Sequence, residues 1–206
     1  MNRRDAILQH LCPTVMVPRF EAVAPMETIG HRYLMAQDGL YLDLQTPWLS
    51  LTVKTATNRT ALPYGPVIEQ LKLKFGNSLR SALRRFEREA RTAAPIEHAA
   101  WLSFDGSDQS LHYESVQVLD ASTDLIRYER PELPALRVLA VDIHSHGHYA
   151  AGFSDEDDRD SLDDAKLEVV FGNLDRATPS VACRLSALGL HLDYSKWLSA
   201  FLYAGG

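Results

Sequence analysis

The hydrophobic pattern of the first third of the chain has the two-residue period of β-structure. Residues 32–55 alternate apolar and polar positions around the turn signal Asp38-Gly39 and a central proline, and this predicts a β-hairpin or meander. Residues 57–66 are rich in proline and glycine and predict a loop. No enzymatic motif is present here, so residues 1–76 are predicted to be a β-rich N-terminal region. This region either positions a substrate or partner, or packs its strands onto the sheet of the remaining chain.

The period changes to that of an amphipathic helix over residues 77–93. Asn77 supplies a polar cap, and most positions outside the apolar stripe are arginine or another polar residue. The apolar stripe consists of Leu79, Leu83, Phe86 and Ala90. Pro95 ends the helix, and Glu97 then precedes the apolar run A-A-W-L-S-F, which predicts a strand.

Further apolar runs predict the remaining elements of residues 77–206. Strands are predicted at residues 136–143, 167–171 and 180–192, the last of them broken by a glycine turn. A short helix is predicted at residues 195–203. This mixture of helices and strands predicts an α/β fold.

The candidate chemistry lies directly after the strand predicted at residues 136–143, in H-S-H-G-H-Y-A-A-G-F-S-D-E-D. His144 and His146 are two residues apart, Ser154 follows after seven residues, and Asp157 is three further on. Residues two apart project from the same side of a strand, so both imidazoles are able to bind one ion. Two imidazoles and a carboxylate with an open fourth position are typical of catalytic zinc.

Two structural interpretations compete with the zinc site. A histidine pair on a strand is often simply half-buried, and Ser154 with Asp157 also fits the capping box of a helix. His148, the third histidine of the cluster, is expected to face solvent or the substrate groove rather than the metal. A zinc-dependent base deaminase is not indicated, because the only cysteines, Cys12 and Cys183, do not form its P-C-x-x-C motif.

These residues resemble the signature of the JAMM (MPN+) metalloproteases, H-x-H-x7-S-x2-D with a glutamate upstream. The resemblance covers roughly residues 78–206, and all four signature positions match without a gap. The family usually has proline after the second histidine, whereas Gly147 stands here. The resemblance implies Glu97 as the catalytic glutamate and Zn²⁺ as the cofactor. It also implies a curved mixed β-sheet flanked by helices, similar to that of cytidine deaminases.

The mechanism expected from this resemblance is hydrolysis of an amide bond. Zinc bound by His144, His146 and Asp157 would lower the pKa of its water to roughly 7. Glu97 would take the proton and return it to the departing amine, while Ser154 and the ion stabilise the oxyanion.

The substrate implied by the family is the peptide or isopeptide bond after the C-terminal glycine of a ubiquitin-like protein. Within the JAMM group, the length, the N-terminal region and the H-S-H-G variant resemble the PRTRC family. That family is bacterial and often plasmid-borne, and it occurs with ubiquitin-like, E1-like and E2-like proteins as partners. Two other hypotheses remain open: a zinc hydrolase of a small amide conjugate, and a non-catalytic scaffold of this fold.

Composition and charge add limits to these expectations. The net charge of −6 argues against general nucleic-acid binding. Residues 72–91 hold seven bases against two acids, and they form either a solvated surface or a site for an acidic partner or nucleic acid. Residues 155–164 hold seven acids and predict a helix that starts after Ser154. The two unpaired-looking cysteines and the lack of a long apolar segment predict a cytoplasmic protein without membrane contact.

Overall fold

A computed structural model describes residues 2–75, 78–161 and 165–203 of the chain. The chain divides into two compact units, Met1–Lys74 and Phe75–Gly206. Each unit is built on a sheet of its own.

The first unit is a five-stranded sheet preceded by a short helix. Its elements are α1 (Arg3–Leu11), β1 (Thr14–Met16), β2 (Gly30–Met35), β3 (Gly39–Gln45), β4 (Leu49–Thr57) and β5 (Gln70–Leu73). The strands lie in the order of the sequence, with β1 and β2 parallel and the other neighbours antiparallel. The predicted meander is confirmed as β2, β3 and β4. Its alternation buries Leu34, Leu42 and Leu51, whose side chains are at most 2% exposed.

The described part of the second unit is a six-stranded mixed sheet with three helices and a separate two-stranded ribbon. Its elements are α2 (Ser78–Ala93), β6 (Ala99–Asp105), β7 (Ser110–Ser115), β8 (Gln117–Ala121), β9 (Ile126–Glu129), β10 (Arg137–Ser145), α3 (Asp155–Asp160), β11 (Ala165–Gly172), β12 (Ser180–Ala187), β13 (Leu190–Asp193) and α4 (Ser195–Tyr203). The sheet order is β13-β12-β11-β10-β6-β7, and β8 pairs with β9 alone. The prediction of a mixed α/β fold with a β-rich N-terminal region is therefore confirmed in this form, with sheets dominating and few helices.

The strand β10 occupies the middle of this sheet. It runs parallel to β11 on one side and antiparallel to β6 on the other. Hydrogen bonds to both neighbours pair the backbone N–H and C=O groups of β10. Its apolar side chains Val141 and Ile143 are fully buried. The strand continues to Ser145, two residues beyond the predicted end, so His144 belongs to the strand itself.

The helix α2 packs its predicted apolar stripe against the sheet. Leu83, Phe86 and Ala90 are fully buried, and the Phe86 ring lies 5.5 Å from that of Phe171 on β11. Asn77, the predicted cap, and residues 162–164 of the predicted acidic run lie outside the described residues.

Three arginines of α2 contact other residues of the second unit. Arg84 donates to the carbonyl of Leu202 at 2.6 Å. Arg91 donates to the carbonyl of Leu174 at 2.5 Å, and the Arg85 guanidinium lies 3.8 Å from the centre of the Tyr113 ring. These contacts fix the helix to its neighbours, which favours a structural use of its positive charge over a binding surface.

Cys12 and Cys183 are both free thiols, and burial raises the pKa of Cys183 above its ordinary value.

Among the described residues, the structure contains no helix with both the length and the apolar character that crossing a membrane requires.

The packing of α2 gives a prediction for stability. Leu83 is 0% exposed, so Leu83→Ala removes buried methyl groups and leaves a cavity under the helix. We expect the free energy of unfolding to fall by about 2–5 kcal/mol in urea denaturation. Arg88→Ala, at an exposed position of the same helix, should change it by no more than about 0.5 kcal/mol. Equal effects of the two substitutions would show that α2 does not pack as described.

Candidate metal centre

The two histidines lie together where β10 leaves the sheet. His144 pairs with Ala99 of β6 and with Val170 of β11, and the backbone N–H of His146 donates to the carbonyl of Phe171 at 2.8 Å. Their Nε2 atoms are 3.1 Å apart. Two nitrogen ligands of a tetrahedral zinc ion are separated by roughly 3.3 Å, so the two rings have a spacing that suits one ion.

The carboxylate of Asp157 comes from the first turn of α3. Its Oδ1 atom lies 3.8 Å from His144 Nε2. Its Oδ2 atom accepts hydrogen bonds from the backbone N–H and from the Oγ–H of Ser154, each at 2.7 Å. In return, Ser154 Oγ accepts from the backbone N–H of Asp157 at 3.3 Å. The capping box weighed from the sequence is thus present, and it turns the other carboxylate oxygen toward the histidine.

The protonation states match a donor set for a divalent ion. Burial lowers the pKa of His144, so its imidazole stays neutral at neutral pH. Burial acts to raise the pKa of Asp157, but the electrostatic interaction with the nearby His144 ring and the hydrogen bonds from Ser154 hold it below its ordinary value. Neutral imidazoles with an ionised carboxylate are the forms that zinc binds. By the chemistry of their donors, His144, His146 and Asp157 fit a zinc ion.

Glu97 lies between the end of α2 and the start of β6, as the sequence predicts. Its backbone N–H donates to the carbonyl of Ser122 at 2.9 Å, and its side chain is 8% exposed. Burial, followed by the charges of Asp124 and Asp157, raises its pKa from 4.5 to about 7.

One cavity of about 340 Å³ brings the candidate residues together. Glu97, His144, His146, Ser154 and Asp157 all line it. They come from three stretches of backbone, namely the segment before β6, the end of β10 and the start of α3, so it is the fold that places the glutamate beside the signature. The rest of the wall includes side chains of the β8-β9 ribbon, the loop before α3, and β11.

Gly147 explains why the chain lacks a proline after His146. Its φ of +52° is in the left-handed region, and a β-carbon there would collide with the carbonyl oxygen of Pro95. Proline, with φ fixed near −65°, does not adopt this conformation. The close approach brings the backbone after His146 against the segment that precedes Glu97.

Two other histidines lie outside this arrangement. His148 is exposed, as expected, and is not among the residues that line the cavity. His112 belongs to a group that the sequence reasoning missed, formed with Asp105 and Asp108 at the turn between β6 and β7. Among the described residues, the ligand atoms of this group all lie within 4.8 Å of one another. The ligand atoms of His144, His146 and Asp157 are spread more widely than that.

The group at the turn has other partners that weaken its case for a metal. Asp105 accepts from Arg137 at 3.3 Å and from Ser107, while Asp108 accepts from Ser110. The arginine already supplies positive charge to the group, and these short-range bonds are those of an ordinary turn. Its D-x2-D-x3-H spacing carries no established metal motif, so the sequence held no signal for it.

Comparison with known proteins matches two family models to the chain. The model of the prokaryotic homologs of the JAB domain matches residues 79–186, just over half of the chain. A model of a domain of unknown function, DUF2016, matches residues 2–74. No curated protein matches. Among solved structures, the chain is similar to protein DSY2949 from Desulfitobacterium hafniense, with a TM-score of 0.42 and 18% identity, covering 56% of this chain and 86% of that one.

The raised pKa of Glu97 predicts a pH dependence for the stability of the metal-free protein. Between pH 4.5 and about 7 the folded state keeps a proton that the unfolded chain has lost, so ionisation of Glu97 reduces stability as the pH rises. Glu97→Gln removes this penalty. We expect the variant to gain more stability over the wild type at pH 8 than at pH 5, by on the order of 2 kcal/mol in urea denaturation.

Glu156→Gln is the matched control for this measurement. Glu156 lines the same cavity but is exposed. The same gain for Glu97→Gln at both pH values would show that burial does not perturb Glu97 in this way.

Proposed function

Because the chain belongs to the family of prokaryotic homologs of the JAB domain, we propose that it is a zinc-dependent hydrolase of the JAMM type. Its reaction is cleavage of a peptide or isopeptide bond after the C-terminus of a bacterial ubiquitin-like protein. One observation carries the proposal: Glu97, both histidines, Ser154 and Asp157 line a single cavity. Domains of the JAB class include metalloisopeptidases and scaffolds, and a complete set of catalytic groups in one cavity favours the enzyme.

In this proposal His144, His146 and Asp157 hold the Zn²⁺ ion that JAB-type domains typically bind. When bound, zinc acts as a Lewis acid that activates water for attack and polarises the substrate carbonyl. The chain contributes a preset carboxylate, because the capping box fixes Asp157 before any ion arrives. The half-buried imidazole of His144, whose pKa is lowered, needs no deprotonation at neutral pH.

Glu97 moves the proton. Its carboxylate accepts a proton from the attacking water and transfers it to the nitrogen of the departing amine. In the metal-free protein, burial raises the pKa of Glu97 to about 7, and a buried carboxylate whose pKa is raised toward the working pH is suited to accept and then release a proton. Its burial limits competing contact with bulk water.

Ser154 supplies a hydroxyl beside the reacting carbonyl. In this structure its Oγ–H donates to Asp157, so the hydroxyl must turn toward the substrate to stabilise an oxyanion. The hydroxyl is able to leave Asp157 because the backbone N–H of Ser154 keeps a second hydrogen bond to the same carboxylate oxygen. Asp157 then keeps its orientation while the hydroxyl turns.

The substrate class and the partners rest on resemblance. The JAMM signature supports a ubiquitin-like protein or its conjugate as substrate. The similarity to the PRTRC family supports E1-like and E2-like partners. The two free cysteines accord with the reducing cytoplasm in which we place the reaction. The first unit, which matches a domain of unknown function, is proposed to position the substrate or a partner.

Metal content tests the centre first. We expect about one zinc per chain in the purified protein, and its loss in His144→Ala, His146→Ala and Asp157→Ala, measured by elemental analysis after dialysis. His148→Ala is a matched control in the same loop, and His112→Ala tests the group at the β6-β7 turn. Zinc that is lost only in His112→Ala would place the ion at the turn. No zinc in the native protein, even after reconstitution, would favour a scaffold.

Glu97→Gln separates catalysis from metal binding. The amide keeps the shape of the side chain but cannot accept the proton, so we expect full zinc content and a loss of about 10²–10⁴-fold in the rate of cleavage of ubiquitin-like fusions. Glu156→Gln, from the exposed wall of the same cavity, should retain activity within a few fold. Unchanged cleavage by Glu97→Gln would remove Glu97 as the base.

A further inference from the structure

A row of acidic and basic side chains crosses three neighbouring strands of the second unit, and all of them except the half-buried Asp142 are buried. Asp142 of β10, Glu168 of β11 and Arg184 of β12 are register partners in that order. Lys166, also on β11, lies 3.2 Å from Asp142 and 3.4 Å from Glu168. Lys166, Glu168 and Arg184 are 3%, 6% and 6% exposed. Because Asp142 and His144 are two residues apart on one strand, this row lies on the same face of the sheet as the metal centre.

Arg184 connects this row to the segment that carries Ser154 and Asp157. Its Nε donates to Glu168 at 2.6 Å, which fixes the guanidinium on the sheet. Its Nη1 pairs with Asp158, and its Nη2 donates to Ser161 Oγ at 3.3 Å. The ring of Phe153 lies under the guanidinium, 4.1 Å from its carbon. Three of these four contacts therefore reach residues 153–161.

The segment needs such an external contact to hold its position. The helix α3 has only six residues, and a helix this short has little stability of its own. Ser154, Asp155, Glu156 and Asp158 are exposed, so few of its side chains pack against the sheet. Asp158, which Arg184 binds, is the direct neighbour of Asp157.

We propose that Arg184 is the positioning residue of the metal centre, holding residues 153–161 on the sheet so that Asp157 faces His144. This role rests on the proposed zinc site. Arg184 touches neither the ion nor the substrate, and acts through Asp158, Ser161 and Phe153. This role gives a reason for a buried arginine at a position where an apolar residue would be easier to bury.

The chemistry of the side chain requires arginine. A planar guanidinium offers donors in several directions and a flat face for an aromatic ring, so it binds Glu168, Asp158 and Phe153 together. The ammonium of a lysine is a compact donor on a flexible stem, without that flat face.

Zinc affinity of two variants tests the proposal. We expect Arg184→Lys and Asp158→Asn each to raise the dissociation constant for zinc by about 10–100-fold, as outer-shell substitutions at metal sites typically do. Competition with a chromophoric chelator measures this constant without any substrate. Asp158→Asn changes an exposed carboxylate whose side chain is 53% accessible, so it keeps the test valid if Arg184→Lys fails to fold. Asp155→Asn, one turn earlier on α3, is the matched control and should bind zinc as the wild type does.

The double variant distinguishes positioning from a general loss of stability. If Arg184 acts through Asp158, Arg184→Lys/Asp158→Asn should bind zinc no more weakly than the worse single variant. Additive losses, or wild-type zinc affinity in both single variants, would overturn the proposal. Failure of the proposed function would appear differently, as retention of zinc by Asp157→Ala.

Discussion

The pairing of β10 with a strand on each side determines where the two histidines and Glu97 of the candidate site lie. The antiparallel neighbour β6 begins opposite His144, and this brings Glu97, two residues earlier, to the same end of the sheet. The parallel neighbour β11 ends beside the same point, and the carbonyl of its Phe171 accepts a hydrogen bond from the backbone N–H of His146, after which the chain turns. Because a shift of one residue in register would turn His144 to the opposite face, the chemistry depends on the buried contacts of Val141 and Ile143.

The second constraint is the amount of charge placed inside the sheet. Buried ions lose their hydration, and pairing repays that cost only when geometry is good and the remaining hydrogen bonds are made. Here Glu168 accepts from both Arg184 and Ser186 while Lys166 lies beside it. Such a row is weak evidence of added stability. Its role is better understood as holding α3 and the β8-β9 ribbon on the sheet. Tyr128 of the ribbon donates a hydrogen bond to Asp142 of this row at 3.2 Å.

Sequence patterns predicted the parts of this arrangement that depend on local periodicity. The meander has strong alternation, α2 and α4 have apolar residues at helical spacing, and β6 and β10 are nearly continuous apolar runs. The spacing from His144 to Asp157 is complete within fourteen residues. Glu97 could be chosen because a helix end and a strand start bracket it.

The parts that depend on distant partners were not predicted. Lys166, Glu168 and Arg184 alternate with apolar residues, a pattern typical of a solvated strand face, and only the three-dimensional neighbours show that they are buried. In the ribbon, β8 has mostly exposed side chains and no apolar period, and β9 alternates over only four residues, too few for a confident strand prediction. The need for glycine at position 147 arises from Pro95, which is fifty-two residues away in sequence.

In the proposed zinc centre, the capping box of α3 would couple ion binding to the order of a helix. Asp157 both satisfies the first turn of α3 and offers its other oxygen to the centre. An ion that binds Asp157 in the orientation held by the capping box favours the folded first turn, and linkage requires the folded turn to favour the ion by the same factor. An ion in the centre would therefore lower the frayed population of α3, and hydrogen exchange of the amide protons in its first turn would report whether the ion is bound.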